Sequence, residues 1–139
     1  MNDVQAIIDV TIAYAWAIDS KDWRALDDVF LEDATAEMPH PLAGREQIVA
    51  RIARTLEPLA VTQHIVANHQ VEINGDSAAC RCYLQAQHVR KIDGRRENYL
   101  VGGSYLDQLV RTGNGWRIAH RRLVVTWTDG NPDVVQVPN

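Results

Sequence analysis

The chain has 139 residues, of which 46% are apolar and 23% charged; this fits one globular domain spanning 1–139 and excludes a disordered or fibrous chain. Fourteen basic against 18 acidic residues give a net charge of −4, which speaks against a nucleic-acid partner. No apolar run reaches the length of a membrane span, and Met1-Asn2-Asp3-Val4 does not open a basic-then-apolar leader, so a cytoplasmic protein without a membrane partner is expected.

Residues 3–19 are expected to form the first helix. Ile8, Ile12, Ala15 and Asp19 follow the spacing of one helical face, so a carboxylate ends an otherwise apolar stripe. An acid that is both buried and at a helix C-terminus is disfavoured twice over, and Asp19 therefore requires a partner or a proton. Ser20 to Asp22 break the helix, and Asp22 is placed to N-cap a second one through Trp23, Leu26, Val29 and Phe30. A short strand is expected from Ala34 to Met38, before the Pro39-His40-Pro41 loop. From Arg45, the apolar set Ile48, Val49, Ile52 and Leu56 marks a third helix, which Pro58 stops.

Past Pro58 the pattern changes to long strands. Residues 61–73, 77–91, 96–110 and 116–127, separated by Asn74-Gly75-Asp76, Asp93-Gly94 and Gly113-Asn114-Gly115, predict a four-stranded antiparallel meander. Three helices followed by such a sheet give the α+β class, in which a strongly curved sheet can wrap the helices. The core is expected over about 3–128; the tail 129–139, with Pro132 and Pro138, reads as loop or a loosely held end. Cys80 and Cys82 share one strand face, which suits small core residues better than a mutual disulfide. No zinc spacing or phosphate-binding glycine motif is present, so no metal and no cofactor is expected.

The best partner for Asp19 is a histidine. His64 shares a strand face with Val66 and Asn68, and His88 lies near the end of the next strand. A three-residue loop pairing Asn74 with Ala78 would set the two rings opposite one another, whereas a two-residue turn would put them on opposite faces. The apolar alternation does not decide, because Ile65, Val71 and Ile73 are odd-numbered and Cys80, Cys82 and Leu84 even-numbered; a bulge would reconcile them. An Asp beside a His makes a general base without a nucleophile, and Gly102-Gly103-Ser104-Tyr105-Leu106 does not match a nucleophile elbow. Proton-transfer chemistry follows from that. Tyr14, one turn before Ile18, and Trp127, near the end of the sheet, are candidates to line a pocket. Arg121 and Arg122 alternate faces, so one of them could point inward to bind an anion or the charged end of a substrate, the alternative being a solvated surface, and Asp107 offers a second carboxylate for an epoxide-hydrolase alternative. His40, His69 and His120 read as loop or structural residues.

From the helical start to Gly115-Trp116-Arg117-Ile118, over roughly 3–128, the chain resembles the SnoaL-like branch of the nuclear transport factor 2-like superfamily. The resemblance implies a cone-shaped α+β barrel, with a curved, mainly antiparallel sheet wrapped around three N-terminal helices and a deep apolar pocket between them. Asp19-Ser20-Lys21-Asp22-Trp23, Thr62-Gln63-His64 and His88 are similar in order and spacing to the active-site segments of scytalone dehydratase, which puts that family's catalytic Asp and two His on Asp19, His64 and His88. Hexachlorocyclohexane dehydrochlorinase and bile acid 7α-dehydratase are similar through the Asp19 and His64 pair. What this implies is a cofactor-independent, dehydratase-type lyase acting on a hydrophobic small molecule. The tyrosines that hold water in scytalone dehydratase fall on Ile18 and Met38, and its polar strand residues fall near Gly103 and Tyr105, so scytalone itself is not the expected substrate. Tyr14, Asn68, Trp127 and Tyr105 are the expected substrate-binding residues. An isomerase or polyketide cyclase with the same acid–base site, and a non-catalytic ligand-binding or assembly domain, stand as alternatives. Similar families form dimers or trimers, so a homodimer or homotrimer is expected.

Overall fold

The computed structural model describes residues 2–137. The first helix, α1, runs Asp3–Asp19, and the Asn2 side chain caps it by accepting from the Val4 N–H at 2.8 Å. Its buried face is Ile7, Thr11, Tyr14 and Ile18 rather than the expected stripe, since Ile12 is 38% exposed. Asp19 therefore sits on the flank of the buried face and not at its centre. The expected second α-helix is instead a six-residue 3₁₀ helix, Trp23–Asp28, with Asp22 as its cap. Asp27 and Asp28 sit at its C-terminal end, where negative charge is unfavourable, and the Val29 carbonyl already accepts from Ile118 N–H. Phe30 is consequently a strand residue and not a helical one: β1 spans Phe30–Glu37, earlier than the expected Ala34 to Met38. A short β2, Pro41–Ala43, follows, and then α2, Arg45–Leu56, which buries Ile48, Ile52 and Leu56.

The four long strands are β3 (Val61–Asn74), β4 (Ser77–Ile92), β5 (Arg95–Thr112) and β6 (Gly115–Gly130). They form the antiparallel meander, but the sheet has six strands in the order β2-β1-β6-β5-β4-β3, with β1 parallel to β6. The architecture is α+β: a curved, mainly antiparallel sheet that is not closed, with α1 against β3 and β6 and α2 against β1. Core side chains from Ile7 and Tyr14 on α1, Ile48 and Ile52 on α2, and Leu84, Tyr105 and Ile118 on the sheet meet between these layers.

Two of the sheet's irregularities set which way His64 and Trp127 face. Asn74 pairs with Ser77, a two-residue turn, yet His64 pairs with Ala86, because Asn68 and His69 together oppose one residue between the Ala67–Tyr83 and Gln70–Arg81 pairs. Asn68 takes a φ of 58°, a left-handed conformation that Asn tolerates better than most residues. His69 anchors this bulge to α1, its Nε2 lying 2.7 Å from the Thr11 hydroxyl; that hydroxyl donates to the Ile8 carbonyl, so the ring nitrogen is the donor. His64 and Val66 lie on the inner face before the bulge, and Val71 lies on it afterwards, which resolves the odd–even conflict in the sequence. The second irregularity lies between Gly102 and Gly103, which pair with Trp127 and Val125. A Cβ on Gly103 would come within 2.1 Å of the Val124 carbonyl oxygen, so the close approach of β6 requires glycine there.

The chain end departs from the loose tail expected of it. β6 continues to Gly130, and a 3₁₀ turn, Pro132–Val135, buries Val134 completely. Pro138 lies outside the described residues. No helix of the structure is long and apolar enough to cross a membrane.

Candidate active site

α1 ends where β3 passes beneath it, and this junction brings Asp19 to His64. Three donors converge on the carboxylate: His64 Nδ1 at 2.8 Å from Oδ1, the His64 backbone N–H at 2.8 Å from Oδ2, and the Thr62 hydroxyl at 3.0 Å from Oδ1. Because an ionised carboxylate only accepts, Nδ1 carries the ring proton, and Nε2 of the neutral imidazole is left with its lone pair. The helix is ended by Lys21, with φ at 55°, whose ammonium donates to the Glu57 and Leu59 carbonyls at the end of α2. The two helix termini are thereby tied together above the pair.

His88 reaches the same place from β4. It stands diagonally across from His64, opposite Thr62, with the two ring centroids 5.7 Å apart and nearly perpendicular. Its Nδ1 donates to the Tyr99 carbonyl at 2.9 Å, so the other nitrogen is an acceptor. Burial pushes the His88 pKa below its ordinary 6.5, and the neighbouring His64 acts in the same direction, against the Tyr99 hydrogen bond.

Both histidines line a cavity of about 370 Å³ between the sheet and the helices, with Tyr14, Ile18, Ile52, Leu56, Leu84, Ala86, Val101 and Tyr105 among its walls. Val135 from the C-terminal 3₁₀ turn also lines it. Burial raises the phenol pKa of Tyr14 and raises that of Tyr105 well above its ordinary value, so both stay protonated donors. Tyr14 meets the Tyr105 ring edge-on, with centroids 5.7 Å apart.

Asn68 and Trp127 are not brought to this cavity. Asn68 is the exposed bulge residue, and the bulge that turns His64 inward turns Asn68 out of line with it. Trp127 lies beyond the Gly102/Gly103 irregularity, which reverses its facing; its indole covers Gly102 on the outer face and is 43% exposed. Arg121 does point inward but is not free for an anion. It makes two bonds of 2.8 Å to Asp107, both side chains are fully buried, and its guanidinium lies between the Tyr14 and Tyr105 rings at 4.3 and 3.9 Å. Asp107 is consumed by the same pair and offers no second carboxylate to the cavity. Burial lifts the Cys80 thiol to about 12 and Cys82 to about 11, which makes both inert core residues.

The sequence reading gave no role to two residues of the site, Thr62 beside Asp19 and Arg51 on the cavity wall. Thr62 could have been found, because the two-residue period puts it on the His64 face. Arg51 lines the cavity from α2, and nothing in the sequence separates it from Arg45 and Arg54 on the same helix.

The family model described as a SnoaL-like domain matches residues 1–122. An uncharacterised protein of Mycobacterium tuberculosis is 30% identical over 125 residues, covering 87% of this chain and 84% of its own. Among solved structures, a Novosphingobium aromaticivorans protein provisionally named an aromatic ring hydroxylase is 30% identical with a TM-score of 0.86, covering 96% of both chains. A second protein from that organism, provisionally named a scytalone dehydratase, has a TM-score of 0.83 at 22% identity, covering 97% of this chain and 90% of its own; it shows the likeness of fold.

Proposed function

This chain belongs to the SnoaL-like domain family, and from that premise we propose that it is a cofactor-independent lyase that eliminates a small group from a hydrophobic, cyclic small molecule. The observation that carries the proposal is the 2.8 Å contact of Asp19 with His64 Nδ1 at the wall of an apolar cavity. In the proposed reaction, His64 Nε2 takes a proton from a carbon next to a carbonyl. The C–H electron pair forms the carbon–carbon double bond, and the leaving group departs with its bonding pair. Asp19 stabilises the imidazolium that forms, while its three hydrogen bonds hold it in place. Tyr14 and Tyr105 donate to the carbonyl or the leaving oxygen, and His88 accepts from a substrate hydroxyl or a water. His88 in this tautomer cannot protonate a leaving group, so it holds one instead.

The pair is a proton acceptor, the group that elimination and isomerisation need at their first step. That ranks both ahead of the ring hydroxylation in the name of the Novosphingobium relative. An isomerase would use the same site, returning the proton to a second carbon. Ile65, Gln85, Gly102 and Trp127 form one row across the outer face of the sheet, where exposed Ile65, Tyr83 and Trp127 favour the homodimer or homotrimer that sedimentation would measure.

The test is exchange of the α-protons of a cyclic ketone, such as 1-tetralone, into deuterated buffer, followed by NMR. Wild type should accelerate exchange, and His64→Ala should lower the rate by a factor on the order of 10² to 10⁴. Equal rates in the two proteins, with both folded, would remove His64 as the base. Exchange no faster than in buffer, together with no turnover of any cyclic β-hydroxy ketone, would put the ligand-binding reading first.

A further inference from the structure

One charge in the cavity has no counter-charge. Arg51 is half-buried on α2, on the flank of the Ile48, Ile52 and Leu56 stripe, where its side chain reaches the cavity wall beside Ile52 and Leu56. Arg45, Arg111, Arg117, Arg121 and Arg122 each form an ion pair; among the described residues no carboxylate lies within 4.0 Å of Arg51. Its one side-chain partner is the neutral Thr55 hydroxyl, 2.6 Å from Nη1. That bond leaves most of the guanidinium's five N–H donors unused. No Asp or Glu lines the cavity, and Asp19 is already committed to His64 and Thr62.

A guanidinium facing an apolar cavity attracts an anion more strongly than one in open water, because there is less solvent to screen it. Its planar fork matches the two oxygens of a carboxylate, and Thr55 fixes the side chain so that little freedom remains to be lost on binding. A cavity of about 370 Å³ is at the small end of ligand sites and suits a molecule of one or two rings.

We propose that the substrate is an apolar cyclic molecule bearing a carboxylate, held through that carboxylate by Arg51 while its rings extend along the apolar wall toward His64. This rests on the reading of the cavity as the substrate site. The carboxylate is a recognition handle and takes no part in bond making; it also balances the Arg51 charge, which has no carboxylate partner in the cavity wall. Arg51 thereby selects acids over the neutral compounds that the rest of the wall would accept.

Binding alone tests it, without turnover. Isothermal titration of 2-naphthoate and its neutral counterpart 2-naphthamide should show the acid binding wild type at least about tenfold tighter. Arg51→Met should erase that ratio while leaving the amide affinity within about twofold, and Arg51→Lys, which keeps a point charge but no fork, should keep part of it. His64→Ala should keep the full ratio. Absence of a preference in wild type, failure of the acid to bind, or a full preference surviving in Arg51→Met would each overturn the proposal. The two readings fail separately. Loss of the His64 effect in the exchange assay with the acid preference intact removes the base and leaves Arg51; the reverse pattern removes Arg51 and leaves the base.

Discussion

Replacing Asp19 by Asn keeps the shape of the side chain and changes what it can offer to three donors. The carboxylate accepts from the His64 backbone N–H through one oxygen, and from His64 Nδ1 and the Thr62 hydroxyl through the other. Asn has one acceptor oxygen and one NH₂ group. If the NH₂ met the backbone N–H, two donors would face each other in a partly buried site, at a cost of about 1–3 kcal/mol. The amide oxygen therefore goes to the backbone N–H and the NH₂ to the ring. Nδ1 must then accept, the ring proton moves to Nε2, and the cavity-facing nitrogen becomes a donor with no lone pair for a carbon-bound proton. The Thr62 hydroxyl can rotate to accept, so the fold loses about 1–2 kcal/mol, the charge-assisted part of these bonds. The rate should fall by a factor on the order of 10² to 10⁴, equivalent to roughly 3–5 kcal/mol on the barrier. The assay is a long-range nitrogen–proton correlation on ¹⁵N-histidine-labelled protein, which reads the tautomer of His64 without a substrate, alongside the ketone exchange measurement. Wild type should show Nδ1–H and Asp19→Asn should show Nε2–H. A ring that keeps Nδ1–H in the variant, or one that switches while exchange continues at the wild-type rate, would refute the reasoning.

Burial holds the pKa of His88 and of His69 below 6.5, so between that value and the folded pKa the unfolded chain binds more protons than the folded one. The neutral rings' contribution is intact above about pH 6.5 and is lost as pH falls from there toward the folded values; urea midpoints from about pH 7.5 to 5 should drop for wild type and drop less for His88→Gln, and identical slopes would contradict this. Arg121→Met strands the buried Asp107 carboxylate and should cost about 3–5 kcal/mol in chemical denaturation, while Arg121→Met combined with Asp107→Leu should recover most of it; additive losses would mean the pair is not coupled. If His64 both takes the proton and returns it to the leaving group, elimination is syn: a stereospecifically deuterated substrate should lose the label from the leaving group's own face, and loss from the opposite face would assign the second proton to Tyr14 or Tyr105.

What the sequence made legible was local. The Asp19 carboxylate at the end of an apolar helix, Asp22 as a cap, Pro58 after α2 and the turn residues between β3, β4, β5 and β6 are all features of short windows, where periodicity and turn chemistry act directly. What it hid depended on counting residues against a partner that only the folded chain supplies. The bulge at Asn68 and His69 adds one residue against β4, and with it the inner face of β3 changes from even to odd positions. The irregularity at Gly102 and Gly103 does the same to β6, which is why Trp127 looks inward on paper and lies outside. The start of β1 is hidden from the sequence because its pairing with β6 is parallel and joins residues 85 to 88 apart, beyond any local pattern. Asp107 and Arg121 each looked available for chemistry until their strands were paired, when they neutralised one another.

The donor and acceptor inventory bears on whether this cavity only binds or also reacts. Each histidine spends its Nδ1 proton on a fixed protein oxygen, so each leaves its second nitrogen with a lone pair. The Tyr14 and Tyr105 phenols are held protonated by burial, and the remaining wall is apolar apart from Arg51, Thr55 and Tyr99. A site that only bound an apolar acid would need Arg51, the phenols and the wall. It would gain nothing from a partly buried carboxylate whose desolvation must be offset by three hydrogen bonds, one of them from an imidazole. Asp19 acts on the ligand only through His64, and its effect grows when that ring becomes positive, which happens during proton transfer and not on simple binding. The carboxylate that looked misplaced at the end of α1 is therefore placed for a charge that exists only while a proton is being moved.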